Sequence, residues 1–330
     1  MKKITKKYTI ISLATVAVII GLYILSLSVN GLFAKKVEKE FVIPEGTGAY
    51  AVVDMLKEEG FIKSKFFMKM EIKRTDSAGK IRSGSVDLSS KMSYSEILEG
   101  LKNATSSIKV TIPEGFELDS IVKLFSESTG IPEKEFWREL EWGEFVYPFI
   151  TAQLPRGKYR LEGYVFPETY FIDKSMTAHQ IIDMCLAQFN KVFTVEMKAK
   201  ADQLGYSVHE IVTLASIIEK EGSSDLDKIS SVFHNRLKSS EFNKLESCAT
   251  VIYVTKQPRD RLTYQDIQVD SPYNTYLNNG LPPGPIASPG EKALVAAVNP
   301  ADTDYFYFSA TEGGKNTFSK TYDEHLAKQE

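Results

Sequence analysis

The chain has 330 residues, with 40 Lys and Arg against 43 Asp and Glu and a formal net charge of −3. Six of the basic residues and none of the acidic ones lie in residues 1–36, so the remainder carries 34 against 43, or −9, which excludes nucleic acid as a partner. Only two cysteines occur, Cys185 and Cys248, which excludes a disulfide framework and a zinc-type cysteine cluster; two free thiols are expected, with a single bridge as the alternative.

Between Lys7 and Lys35, 27 consecutive residues carry no charge, more than the ~20 needed to cross a bilayer as a helix. Lys2, Lys3, Lys6 and Lys7 precede this stretch with no acid among them, which puts the N-terminus in the cytoplasm. Residues 1–7 read as a cytoplasmic tail, 8–34 as a retained transmembrane anchor in the cell membrane, and everything after as extracytoplasmic. A cleaved signal peptide is the alternative, but its apolar region runs only ~7–15 residues.

An internal repeat follows. Ile43-Pro44-Glu45-Gly46 recurs 69 residues later as Ile112-Pro113-Glu114-Gly115, each after a short β-branched run and before an amphipathic segment. The parallel extends through Gly60-Phe61-Ile62 and Gly130-Ile131-Pro132, then Phe66-Phe67 and Phe136-Trp137, so each copy reads as strand, helix, turn, helix. The first copy continues into a strand at Ser85–Leu88 and a capping box, Ser93 with Glu96, opening a helix to about Leu101. Residues 35–107 thus form a small βααβ module. Gly46-x-Gly48-x-x-Ala51 imitates a dinucleotide fingerprint, but the second copy keeps only Gly115, so the shared feature is a turn.

Residues 108–330 are richer in aromatic loop motifs. Leu161 to Tyr170 alternates aromatic and acidic residues, a pattern that suits sugar faces and hydroxyls or, equally, a packed loop. A core helix follows over about Ala178–Phe193. In the next helix, Val208, Val212 and Ala215 lie on the same side as Glu219, which predicts a partly buried carboxylate at a helix C-terminus, with a raised pKa suited to a general acid. Glu221 could claim the same argument, and Gly222 is placed to end the helix. Further helices are expected over 231–237 and from about 248, then a rigid Pro/Gly loop over 271–286. Ser288, Pro289 and Glu291 read as cap, first and third helical positions of a helix through Val298. Residues 305–308 and 316–318 close the chain as a hairpin around Gly313-Gly314.

Elimination narrows the chemistry. His209-Glu210 begins like a zinc helix, but Thr213 stands where the second His belongs, and the four histidines are scattered; no G-x-S-x-G elbow and no P-loop occur. Acid-dependent sugar chemistry remains. Glycoside hydrolysis ordinarily uses two carboxylates, whereas lytic cleavage can use one, first as acid on the glycosidic oxygen and then as base on the substrate's own C6 hydroxyl.

Glu162–Tyr170, Leu214–Glu221, Val232–Leu237, Tyr273–Tyr276 and Gly280–Ile286 occur together and in order, and in these motifs the chain resembles the YceG-like family of membrane-anchored endolytic murein transglycosylases over its whole length. The resemblance implies an α+β protein with the anchor, a LysM-like module over 35–107 and a catalytic domain over 108–330. It implies cleavage of nascent peptidoglycan strands between MurNAc and GlcNAc, leaving 1,6-anhydro ends and terminating elongation. Within the A-S-I-x-E-K-E motif it assigns catalysis to Glu219 and makes Glu221 a neighbour. Tyr164, Phe166, Asn235, Arg236, Tyr273 and Asn274 are candidates for the glycan groove, and equally for structural roles. No metal or cofactor is implied; glycan strands, the membrane and cell-wall synthases of the penicillin-binding class are the partners. The chain has Leu245-Glu246-Ser247-Cys248-Ala249-Thr250 where family members usually have Leu-Gln-Ser-Asp-Pro-Thr. Two rivals stand beside this reading: a non-enzymatic glycan-binding scaffold, and a hydrolase with Glu162, Glu168 or Glu246 as second carboxylate.

Overall fold

The computed structural model describes residues 36–105, 107–151, 154, 157–222, 224–257, 262–310 and 316–328, with Gly21, Val29 and Asn30. The expected anchor therefore lies outside the described residues except at those three positions. No helix among the described residues is long and apolar enough to cross a membrane. The chain divides into two compact units, residues 1–107 and 108–330.

In the smaller unit, β1 (Glu38–Ile43) pairs antiparallel with β2 (Gly84–Ser89), Phe41 opposite Val86. Phe41 and Ile43 turn inward while Val42 is exposed, the period-2 alternation of a half-buried strand. Between the strands lie α1 (Ala49–Glu58) and α2 (Lys65–Arg74), and α3 (Tyr94–Lys102) follows. Val52, Val53 and Leu56 of α1 meet Met68 and Ile72 of α2 and Ile97, Leu98 and Leu101 of α3 in one core. The Ser93–Glu96 capping box forms as expected, the Ser93 hydroxyl accepting the Glu96 N–H and the Glu96 carboxylate accepting the Ser93 N–H at 2.7 Å. The observed order is thus the βααβ of the sequence reading.

The larger unit opens with the second copy of the repeat, β3 (Ser107–Thr111), α4 (Leu118–Thr129) and α5 (Glu133–Trp142), before β4 (Thr169–Asp173) pairs with β3. Both IPEG turns place their glycine at positive φ, 77° at Gly46 and 74° at Gly115, the backbone region in which a Cβ is disfavoured. There follow α6 (Ala178–Val192), α7 (Val195–Leu204), α8 (Val208–Glu221), α9 (Leu226–Lys238), α10 (Cys248–Thr255) and α11 (Glu291–Val298). Finally β5 (Tyr307–Ala310) and β6 (Asn316–Ser319) pair antiparallel, followed by α12 (Tyr322–Ala327); the Gly313-Gly314 turn lies outside the described residues.

Helix α8 is the axis of this unit. A capping box starts it, the Ser207 hydroxyl accepting the Glu210 N–H while the Glu210 carboxylate accepts the Ser207 N–H at 2.7 Å. Ile211 through Ile218 are then all buried, Thr213 and Ser216 included, so the helix is enclosed on every side and not along one stripe. Thr213 satisfies its hydroxyl on the His209 carbonyl at 2.8 Å, and Ser216 donates to the Thr213 carbonyl and accepts the Ile286 N–H. Packed against α7, α9, α10 and α11, the helix holds its C-terminal turn rigidly; truncating any one of these aliphatic side chains to Ala would cost about 2–5 kcal/mol.

Two local expectations are corrected. Gly222 ends α8 in extended backbone, not the left-handed form; a Cβ there would lie 2.7 Å from Ile229 Cδ1 and would have to displace it. Ser288 does not cap α11, which starts two residues later behind Gly290. The Ser288 backbone is already engaged, its N–H on the Phe116 carbonyl and its carbonyl receiving the Gly115 N–H, both at 2.8 Å. That small ladder fixes the IPEG turn of the second copy beside the end of α8.

Candidate active site

Glu219 and Glu221 close α8 two residues apart, a rotation of ~200°, so they leave on opposite faces. On one face, half-buried Glu219 accepts the Gly290 N–H at 3.0 Å. The Gly115 turn packs here: a Cβ on Gly115 would lie 3.7 Å from Glu219 Cγ and 3.6 Å from Lys220 Cδ, and Lys220 Nζ donates to the Gly115 carbonyl. The Glu114 carboxylate crowds the same point, since a Cβ on Gly290 would sit 2.0 Å from its Oε1. Burial holds the Glu219 carboxyl above the usual range; the Gly290 N–H opposes this, Glu114 adds to it, and Lys220 and Lys292 oppose it.

On the other face, Glu221 enters a cavity of about 380 Å³ lined also by Arg236, Glu246, Ser247, Cys248, Tyr276 and, from the C-terminal hairpin and helix, Tyr307, Tyr322 and His325. Glu219 does not line it. The Ser247 hydroxyl donates to Glu221 Oε1. Burial raises the Glu221 carboxyl, against the Ser247 hydroxyl and the Ala249 N–H, which favour its ionised form. A carboxyl raised by burial and opening on a cavity suits acid catalysis.

The motif departure 245–250 builds the cavity wall. Glu246 and Ser247 donate their N–H groups to the Thr275 carbonyl and hydroxyl, at 3.2 and 3.0 Å, and Thr250 Oγ1 meets Thr275 Oγ1 at 2.9 Å. This ties the loop to the Tyr273–Tyr276 motif. Glu246 adopts φ 51°, an uncommon conformation outside glycine, and is held there by Arg236 Nη1 at 2.9 Å. Cys248 Sγ lies 3.1 Å from the Tyr276 hydroxyl. Cys248 is exposed and Cys185 buried, and both thiols are free.

Of the six groove candidates, Arg236 alone reaches this cavity, and it does so as a clamp: Nε donates to the Phe306 carbonyl at 2.8 Å and Nη1 to the carbonyls of Lys244 and Leu245. Tyr164 and Phe166 are corrected to core residues. Tyr164 is wholly enclosed, stacked on Phe149 with ring centroids 5.2 Å apart, its hydroxyl meeting His209 Nδ1; Phe166 is buried and its carbonyl accepts the Tyr170 hydroxyl. Asn274 is also internal, its amide donating to the carbonyls of Ile267 and Val269. Asn235 bridges to the carbonyls of Thr303 and Tyr305. Tyr273 lines a separate 280 Å³ cavity with Tyr159, Arg160, His209 and Gly284. The aromatic and acidic alternation of 161–170 was thus the signature of a packed loop, with no free glycan face in it.

The three rival carboxylates separate likewise. Glu162 is enclosed at the start of α4, accepting the Leu118 N–H at 3.0 Å and the Tyr253 hydroxyl at 3.3 Å, and burial raises it to about 8. Glu168 is exposed and accepts the Thr169 N–H. Glu246 alone shares the cavity with Glu221. Ser247, Cys248 and Tyr276 were not among the sequence candidates, although each stood inside a quoted motif.

The sequence matches the profile of the YceG-like family over residues 41–330. It is 34% identical over 304 residues to the endolytic murein transglycosylase of Bacillus subtilis, covering 87% of this chain and 83% of that protein. It is 30% identical over 317 residues to the endolytic murein transglycosylase of Streptococcus pneumoniae strain R6, of which it spans 56%. The crystal structure of a yceG-like protein of Listeria monocytogenes superposes with a TM-score of 0.61 at 31% identity, over 89% of this chain and 99% of that one.

Proposed function

The chain belongs to the YceG-like family, and on that premise we propose that it is an endolytic murein transglycosylase whose acid and base is Glu221. The carrying observation is that Glu221, of the two glutamates ending the motif helix, opens on the cavity with its carboxyl raised by burial. This replaces the assignment to Glu219, which faces the Gly115 turn and the Gly290 N–H and takes a positioning role between α8 and α11.

Protonated Glu221 gives its proton to the oxygen linking MurNAc C1 to the next GlcNAc, and the C1–O bond breaks. The carboxylate then removes the proton of the MurNAc C6 hydroxyl, whose oxygen bonds C1 and closes the 1,6-anhydro ring. No water is consumed, and the nucleophile is already tethered. The Ser247 hydroxyl and the Ala249 N–H support the carboxylate between the two transfers.

Around this chemistry we read the N-terminal part of the expected 8–34 stretch, ending before the buried Asn30, as a membrane anchor with the N-terminus cytoplasmic, 35–107 as a LysM-like module, and cell-wall synthases as partners that supply nascent strands. The uncharged stretch, the four preceding lysines and the βααβ order support these assignments. Glu246 keeps a two-carboxylate hydrolase in view because it shares the cavity. Mass analysis of uncrosslinked glycan strands incubated with the protein separates the two: lytic cleavage leaves 1,6-anhydro ends lighter by one water, and reducing MurNAc ends would establish hydrolysis instead. Unaltered strands would favour the scaffold. A form of the protein released from membranes by alkali would overturn the anchor.

A further inference from the structure

The smaller unit carries an exposed apolar face that its fold leaves uncovered. Phe66, Tyr50 and Met70 are 69%, 53% and 50% exposed, and with Lys69 and Lys73 they frame a basin of about 400 Å³. Phe66, Met70 and Lys73 recur at i, i+4 and i+7 along α2, a spacing that aligns them on one face, while Met68 and Ile72 fill the core behind. Lys69 Nζ lies 5.5 Å over the Tyr50 ring. Among the described residues no acid lines the basin. Aromatic and thioether groups interleaved with lysines suit a bilayer interface, where apolar groups reach the acyl boundary and ammonium groups meet lipid phosphates.

A second observation identifies what faces it. Asn30, inside the uncharged stretch, is 1% exposed; its Nδ2 donates to the carbonyls of Phe61 and Met92 and its Oδ1 accepts the Lys63 N–H, all at 2.9 Å. Two of these bonds lock the end of that stretch onto the turn leading into α2, and the third onto the turn leading into α3. Phe66 is three residues beyond Lys63, so at most ~10 Å of chain separates the clamp from the face. Residues 8–28 remain before it, 21 without charge, still the ~20 that a crossing helix needs.

We propose that Asn30 docks the smaller unit directly on the membrane and that the Tyr50, Phe66 and Met70 face lies in anionic phospholipid headgroups, with Lys69 and Lys73 on the phosphates. This rests on reading residues 8–28 as the membrane crossing.

The test uses the full chain in phosphatidylglycerol–phosphatidylcholine vesicles and in phosphatidylcholine alone. In a Cys248→Ser background, with Cys185 buried, Phe66→Cys or Met70→Cys is labelled with an environment-sensitive fluorophore, and nitroxide headgroup lipids are added. The expected result is quenching at both positions, roughly twofold or more stronger in the anionic vesicles, and reduced by at least about half when Asn30→Ala removes the three bonds. A label that stays aqueous and unquenched in floated vesicles overturns the lipid face and leaves the anchor intact. Failure to float overturns the anchor and the proposal together. An emission shift that follows protein-to-lipid ratio and ignores nitroxide content assigns the face to a second copy of the chain and also overturns the proposal.

Discussion

The two faces at the end of α8 carry the same residue type on the same turn, and both carboxyls are raised by burial, yet their surroundings differ in kind. Around Glu219 stand the Gly290 N–H, the Gly115 turn and the Glu114 carboxylate, with Lys220 and Lys292 near. Around Glu221 the neighbours are side chains of a loop and a hairpin that leave a sugar-sized space. Burial alone therefore does not single out a catalytic acid; an opening beside the buried group does.

The largest effect that can break this comparison is on turnover. Glu221→Gln should lower glycan cleavage by about 10²–10⁴-fold, the usual contribution of an essential acid, whereas Glu219→Gln, which keeps an acceptor for the Gly290 N–H, should stay within about tenfold of the wild type. Mass analysis of the products measures both. A reversed order would return catalysis to Glu219, and equal losses would mean that the two carboxyls titrate as a pair.

Glu162 sharpens the comparison as a buried carboxyl with no cavity role. Its pKa is raised from 4.5 to about 8 by burial, so the folded state holds a proton that the unfolded chain has lost. Its contribution to stability is complete below pH 4.5 and is lost as pH rises toward 8, a decline on the order of a few kcal/mol. Denaturant unfolding across that range should show the decline in the wild type and a shallower one in Glu162→Gln, the remainder coming from Glu219 and Glu221, which burial also raises, with activity per folded molecule unchanged. A pH-independent wild type would show that Glu162 is ionised in the fold.

Ser247 offers a smaller effect with a definite sign. Its hydroxyl favours the ionised form of Glu221, so Ser247→Ala should raise that pKa further and carry the alkaline limb of the kcat/KM profile upward, by about a pH unit or less. A downward shift would mean that Ser247 does not act on the catalytic group. The smallest effect belongs to Cys248: Cys248→Ser should retain activity within about threefold. Bulky alkylation should block the wild type and spare Cys248→Ser, because the thiol lines the cavity. Full activity after alkylation would move the glycan groove elsewhere.

Local order was legible in the sequence wherever it depended on neighbours along the chain. The Ser93–Glu96 box and the strand-to-helix turns of both IPEG segments follow from residues within a few positions of one another. The failures are long-range. Ser288 carried a cap signature, but its backbone was taken by Gly115 and Phe116, more than 170 residues away in sequence. Tyr164, Phe166 and Asn274 read as groove residues because aromatic and amide groups suit sugars; the same groups suit a core in which Phe149, His209 and the Ile267 and Val269 carbonyls await partners.

The two copies of the repeat mark the division most clearly. Sequence alone determined that each would make a strand, a turn at glycine and a helix, since those forms are set by residues close in the chain, and its ordered motifs determined the family. It could place Glu219 and Glu221 on opposite faces of a helix from their spacing, but not say which face was open. Tertiary structure decided that: among the described residues nothing lies within 4 Å of a Cβ on Gly46, whereas one on Gly115 would be in ordinary contact with Glu219 and Lys220. The second turn packs beside Glu219, the 245–250 loop bonds Glu221 while walling the cavity beside it, and only packing between segments distant in the chain can set one carboxyl against a glycine turn and the other at a cavity.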